Sequence, residues 1–331
     1  MSKWKVVITD REFESIDIER EVLSKVDAEV IDFQVKEEKD VIEVVQDCDA
    51  VIMQYANLTE AVINSMKNCK IISKYAIGLD RIDIGAATNK GICVAHVRDY
   101  CIDEVSTHAV GLILSSTRKI CYLNKVTKTA TWDYKISKPI YNLRGLTLGF
   151  NSFGKIAQMV AEKMKPFGVE MMAYDPFVDE VTASQLGVKL VSFEDLAENS
   201  DILSTHVPDM PTTRGMFNKD VFTKMKKTAY LINTGRGPVV NESDLIWALQ
   251  NKEIAGAALD VTDPEPILEG NPLLDMDNVI LTPHAAYYSE DSQAVLQRLT
   301  AENVAQRLEG YAPRYFANPE LKERLNLKEL P

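Results

Sequence analysis

Three apolar runs near the end of the chain each deliver one reactive side chain. Residues 229–233 lead to Arg236, residues 254–259 lead through Asp260 and Val261 to Glu265, and residues 279–281 lead through Thr282 and Pro283 to His284. In an open α/β sheet, ligands bind beyond the carboxyl ends of the parallel strands. An Arg, a Glu and a His delivered there can hold a carboxylate, tune a base and move a proton. With a hydride donor alongside, that is enough chemistry to reduce a keto acid.

A site for such a donor is legible upstream. Residues 146–151 read as a strand, Ser152-Phe153-Gly154-Lys155-Ile156-Ala157 turns into a helix, Gly168 ends that helix, and residues 169–174 form the next strand, closed by Asp175. This is the strand, turn, helix, strand and acid order of a dinucleotide site. Ser152 occupies the first glycine position of the G-x-G-x-x-G/A fingerprint, Gly154 is kept where backbone must approach a pyrophosphate, and Ala157 is an allowed third member. A carboxylate at Asp175 accepts from ribose hydroxyls and repels a 2′-phosphate. Pro176 and Phe177 follow it, with no Arg to hold that phosphate, so NAD(H) is favoured over NADP(H).

The elements that must position these groups form two alternating series. Strand candidates at 6–9, 29–33, 50–53, 70–73 and 92–95 alternate with amphipathic stretches such as 17–25 and 59–66, which predicts a parallel sheet covered by helices. A long helical run spans 103–123, a second alternating series runs from 146 to about 283, and 291–308 is helical again. The fold class expected is α/β, with two Rossmann-like or flavodoxin-like lobes, parallel sheets and an interdomain cleft. The last helix is expected to return to the first lobe, with hinges near 98–102 and 287–291. The domain ranges are then 1–100 plus 289–331 for substrate binding and catalysis, and 101–288 for NAD.

Composition sets bounds on partners. The 331 residues are 46% hydrophobic and 26% charged, as a chain with substantial cores should be. A formal net charge of −12 disfavours nucleic acid and anionic lipid as partners. Five cysteines (Cys48, Cys69, Cys93, Cys101 and Cys121) include no C-x-x-C pair, so neither a disulfide framework nor a thiolate metal site is expected. Reduced thiols, a strand-like N-terminus and no membrane-length apolar run point to a cytoplasmic protein.

Several segments in order resemble the D-2-hydroxyacid dehydrogenases over nearly the whole chain. They are Gly78-Leu79-Asp80-Arg81-Ile82-Asp83, Asp99-Tyr100-Cys101-Ile102-Asp103-Glu104-Val105, Leu143-Arg144-Gly145-Leu146-Thr147-Leu148-Gly149, Asn233-Thr234-Gly235-Arg236-Gly237, Ala258-Leu259-Asp260-Val261 with Glu265-Pro266, and Thr282-Pro283-His284-Ala285-Ala286 with Tyr288-Ser289. Within that family the look is closest to the branch of C-terminal-binding-protein corepressors and their bacterial relatives. The resemblance implies an NAD-dependent enzyme that reduces a 2-oxo acid to the (R)-2-hydroxy acid, and a homodimer built around the 103–123 helix.

It also implies roles. Arg236 would pair with the substrate carboxylate and its 2-oxo group, His284 would pass a proton to the carbonyl oxygen, and Glu265 would hold the imidazole and favour its charged form. Ser152, Gly154, Lys155 and Ile156 would lie at the pyrophosphate, Asp175 at the ribose, and Val207 with Pro208 on the adenosine side. Thr234 and Gly235 would sit near the nicotinamide end and Asp260 at its amide, with Arg236 and His284 bordering the same ring. Lys74 would join the substrate site, where backbone N–H groups of Ala76, Ile77 and Gly78 would cradle the carboxylate as an anion nest. The alternative is a non-catalytic NAD(H)-responsive binding protein of the corepressor kind.

Some positions depart from the family pattern. Ser152 replaces a Gly and Asn151 an apolar residue, Lys74 stands where an Arg is common, and Ala76 replaces a Gly. His96 and Arg98 replace an Asn and a Pro, and Tyr287 replaces a Trp of the corepressor branch. Lys74, Arg81 and Arg98 add positive charge for a second anionic group or are solvated surface charges, and the second reading is preferred. His96 either touches substrate or braces the hinge, and His206 either lines the cofactor cleft or is a satisfied structural histidine. Glu104 and His108, four apart, read as helix packing rather than metal ligands.

Overall fold

The computed structural model describes residues 3–330, so the ends of the expected domain ranges, residues 1–2 and 331, lie outside it. The chain runs β1 (Trp4–Ile8), α1 (Asp17–Ser24), β2 (Ala28–Asp32), α2 (Glu38–Val45), β3 (Ala50–Met53), α3 (Glu60–Ser65), β4 (Ile71–Lys74), α4 (Ile84–Lys90), β5 (Cys93–Ala95), α5 (Ile102–Thr117) and α6 (Ile120–Thr127). It continues β6 (Thr147–Asn151), α7 (Lys155–Met164), β7 (Glu170–Tyr174), α8 (Glu180–Gln185), β8 (Val188–Leu190), α9 (Phe193–Asn199), β9 (Ile202–Thr205), α10 (Lys219–Lys224), β10 (Tyr230–Asn233), α11 (Glu242–Gln250), β11 (Gly256–Leu259), β12 (Val279–Leu281), α12 (Glu290–Leu308) and α13 (Leu321–Arg324). Contacts divide it into two compact units, residues 1–101 with 289–331, and residues 102–288.

The first unit holds a five-stranded sheet in the order β2-β1-β3-β4-β5, all parallel. That is the flavodoxin-like order. Its strands are short and rich in Val, Ile and Ala, with no Gly or Pro, and β3 and β4 are buried at every position. Such strands need cover on both faces. One face packs against Leu296, Ala301, Val304 and Leu308 of α12, the other against Val41, Val45, Val62 and Ile63 of α2 and α3.

The second unit holds a seven-stranded parallel sheet, β12-β11-β10-β9-β6-β7-β8. The order reverses between β6 and β9, which puts the switch point at the ends of those two strands. Helices cover both faces here too, with Ala109, Leu112 and Ile113 of α5 in one core and Leu245, Ala248 and Leu249 of α11 in the other.

One expected element is corrected. The long helix of 103–123 is two, α5 and α6, because Lys119 turns left-handed at φ 53° and breaks the run. Ile120, the first residue of α6, is 52% exposed, and Trp132, in the loop after α6, is 91% exposed. Lys74 is also not a solvated surface charge: it ends β4 and is only 5% exposed.

Candidate active site

Arg236, Glu265 and His284 follow β10, β11 and β12, which are neighbours in the sheet. Parallel strands deliver their following loops to one edge, so the three loops share it. His284 Nδ1 lies 2.8 Å from Glu265 Oε2. A carboxylate offers no hydrogen, so Nδ1 carries it, and Nε2 is left for a substrate. Burial alone would raise the Glu265 carboxyl, but the hydrogen bond and charge of His284, with the charge of Arg236, outweigh it and hold the group below its ordinary value.

The supports of this pair come from far along the chain. Asp260 is 2% exposed, and its carboxylate accepts from Thr282 Oγ1 at 2.6 Å and from the N–H groups of Ala285 and Ala286 at 2.9 and 3.0 Å. Its carbonyl accepts from the His284 N–H at 2.8 Å. Asp260 thereby clamps the loop bearing the imidazole. His108 from α5 adds a contact to Thr282 Oγ1 at 3.0 Å, which gives it a bracing role beyond helix packing. His284 itself sits at φ 52°, a region that costs a residue with a Cβ and persists only where the surroundings impose it.

The Arg236 loop is set by Asn233. Its Oδ1 accepts from Gly235 N–H and its Nδ2 donates to Arg236 O, both at 3.0 Å. Gly237 then lies so close to the 260–265 loop that a Cβ there would meet Thr262 O at 1.9 Å. Only glycine lets the two loops pack, and this approach brings the Arg236 charge within reach of Glu265.

The residues expected at a dinucleotide collect at the switch point. β6 leads into Ser152, at φ 74°, and then Gly154, where a Cβ would meet nothing within 4 Å. Gly154 is the N-cap of α7, which opens with Lys155 and Ile156, and a helix N-terminus is the kind of end that takes a phosphate. Asp175 closes β7; its Oδ2 accepts from Phe153 N–H at 2.8 Å and Ser152 Oγ at 3.3 Å, and its Oδ1 from Phe177 N–H at 2.8 Å. From β9 come His206, Val207 and Pro208, and Val207 O lies 3.0 Å from where a Cβ on Gly235 would be. Both ring nitrogens of His206 are engaged, by Ser204 Oγ at 2.9 Å and Thr234 Oγ1 at 3.2 Å, which favours the satisfied structural histidine. Burial lowers its pKa to about 4.

A family profile described as D-isomer specific 2-hydroxyacid dehydrogenase, NAD binding domain, matches residues 110–286. The chain belongs to the D-2-hydroxyacid dehydrogenase family. Over 271 residues it is 36% identical to a D-3-phosphoglycerate dehydrogenase of Archaeoglobus fulgidus, covering 82% of this chain and 51% of that one. It is 37% identical over 286 residues to a glyoxylate reductase of Thermofilum pendens, covering 84% and 83%. The chain thus spans about half the length of the phosphoglycerate dehydrogenase and most of the reductase. The holo form of D-mandelate dehydrogenase from Rhodotorula graminis superposes with a TM-score of 0.87 at 26% identity, covering 96% of this chain and 98% of that one.

NAD is therefore the cofactor of this dehydrogenase fold, and the open space at Gly154, at the start of α7, fits it. In the other unit, the remaining expected residues are Lys74 at the end of β4 and the loop of Ala76, Ile77 and Gly78 that follows. Asn233, Gly237, His108 and Thr282 are the supports that motif reading misses. Of these, Asn233 and Gly237 lie inside the Asn-Thr-Gly-Arg-Gly segment and Thr282 opens the Thr-Pro-His segment, so for three of the four the signal is present in the sequence. The described residues contain no group of His, Cys, Asp and Glu fit to hold a metal ion.

Proposed function

We propose that this chain reduces a 2-oxo acid to the (R)-2-hydroxy acid with NADH, and runs the reverse with NAD. The observation that carries the reading is the 2.8 Å contact of His284 Nδ1 with Glu265 on loops that also bring in Arg236. Bound NADH supplies the hydride. Arg236 pairs with the substrate's carboxylate and 2-oxo group through its planar fork, which a Lys would not match. His284 Nε2 gives a proton to the oxygen as negative charge develops there, and Glu265 keeps the imidazole oriented and stabilises its cation. Gly154, Lys155 and Ile156, beside Ser152, would hold the pyrophosphate, and Asp175 would meet the adenosine ribose. Val207 and Pro208 line the adenosine, while Thr234, Gly235 and Asp260 lie at the nicotinamide end. Lys74 and the N–H groups of Ala76, Ile77 and Gly78 in the 1–101 and 289–331 unit take the carboxylate of the substrate.

A complete acid–base trio gives no support to a purely NAD(H)-responsive binding protein. We also propose a homodimer, because Ile120, Trp132, Tyr134 and Tyr141 expose 52%, 91%, 70% and 52% of their surface on one stretch of the 102–288 unit. A cytoplasmic location fits a set of five cysteines with no C-x-x-C pair. The test is NADH oxidation across glyoxylate, pyruvate, hydroxypyruvate and 2-oxoglutarate, with chiral analysis of the product from the last three, since glycolate has no stereocentre. Turnover giving the (R)-alcohol is expected; NADH binding without turnover on any of them, or an (S)-product, rejects the reading.

A further inference from the structure

The loop after β4 is fastened on one side only. The N–H groups of Ala76, Ile77 and Gly78 meet no acceptor among the described residues, while two carbonyls beside them are held. Val97 N–H donates to Ala76 O at 3.1 Å, and His96 Nδ1 lies 2.6 Å from Ile77 O. A trans peptide unit points its C=O and N–H in opposite directions. Fastening Ala76 O and Ile77 O toward residues 96–97 therefore turns the N–H groups of Ile77 and Gly78 together to the other side.

The contact from His96 is itself fixed. Its Nε2 lies 2.8 Å from Arg98 Nε. A guanidinium only donates, so Nε2 must accept and the ring hydrogen must sit on Nδ1, where it donates to Ile77 O. Burial lowers the basicity of this imidazole and so do the charges of Arg98 and Lys74, while the bond to Ile77 opposes them; the net shift favours the neutral ring. The His96 backbone is anchored as well, by Tyr315 O at 3.2 Å and by Asn303 Nδ2 at 3.1 Å.

We propose that His96 and Arg98 are positioning residues for substrate: Arg98 sets the tautomer of His96, and His96, by holding Ile77 O, aims the N–H groups of Ile77 and Gly78 at the carboxylate of a 2-oxo acid. This rests on the reading of the chain as a 2-oxo acid reductase. The paired departure from Asn and Pro has a physical logic, since an amide N–H needs no partner to fix its tautomer, whereas an imidazole does. The buried Lys74 ammonium adds charge of the right sign at the same loop.

The test combines ring-nitrogen NMR of His96 with kinetics and calorimetry on Arg98→Ala, His96→Asn and the double variant, using glyoxylate as substrate and oxamate as a non-reacting probe of the NADH complex. The wild type should show hydrogen on Nδ1 alone. Arg98→Ala should mix the tautomers and raise both KM for glyoxylate and the oxamate Kd about tenfold, the scale of one misaimed hydrogen bond to a charged group, with kcat and NADH affinity held. His96→Asn should restore near-normal KM, and in that background Arg98→Ala should change nothing. Hydrogen on Nε2 in the wild type, or an equal Arg98→Ala effect in both backgrounds, overturns the relay. A wild type that binds oxamate but reduces no 2-oxo acid defeats the reductase reading alone; one that binds neither oxamate nor glyoxylate defeats both.

Discussion

At the scale of single residues, one backbone conformation carries a consequence. Ser152 stands at φ 74°, where a Cβ costs about 1–2 kcal/mol relative to glycine. Its hydroxyl recovers part of that through the 3.3 Å contact to Asp175. Ser152→Gly should therefore stabilise the fold by about 1 kcal/mol in chemical denaturation and tighten NADH binding in calorimetry. Weaker NADH binding would show that the hydroxyl itself holds the phosphate. Arg236, Glu265, His284 and Asp175 were legible because each lies within a few residues of the end of an apolar, strand-like run. Lys74 was not legible as a buried residue, because nothing in Ile71-Ile72-Ser73-Lys74 says that the strand is covered to its last position.

At the scale of elements, the site depends on loops that touch across long sequence separations. The Gly237 contact with Thr262 and the Asp260 clamp on residues 282–286 join three strand ends into one assembly. Gly237→Ala should push the Arg236 loop off the Glu265 loop, costing about 1–3 kcal/mol of stability. Its kcat/KM should fall further than that of an exposed control such as Gly270→Ala, which has open space but strains its φ of 78°. Equal losses in both would show that close loop packing does not matter to the chemistry. The strands given ranges, and α1, α3 and α12, were readable to within two residues, since each is a short apolar or amphipathic run between turn signals; β8, β9 and the other short helices were legible only as part of the alternation. The α5–α6 break was not, because Arg118 and Lys119 are good helix formers and only tertiary packing turns Lys119 left-handed. The bond from His108 to Thr282 spans 174 positions and leaves no local trace.

At the scale of the whole molecule, burial of histidines sets the acid limit of stability. His206 and His96 are both held below their ordinary pKa by burial. Unfolding releases each to take a proton, so stability is full above about 6.5 and falls as pH drops, for His206 down to about 4. Glu19, which burial raises, acts in the opposite sense at the acid end. Thermal unfolding across this range should show Tm falling with acid, and His206→Gln should flatten the fall; an unchanged slope would contradict the burial of that ring. Light scattering tests the homodimer, and a monomer at micromolar concentration would remove that proposal.

The central claim is that His284, oriented by Glu265, is the proton donor of a hydride transfer. Steady-state NADH oxidation by His284→Ala, measured beside its NADH affinity, addresses it most directly. With affinity held within about threefold, kcat should fall about 10²–10⁴-fold. Turnover close to that of the wild type, in a variant that still binds NADH and remains folded, would contradict it.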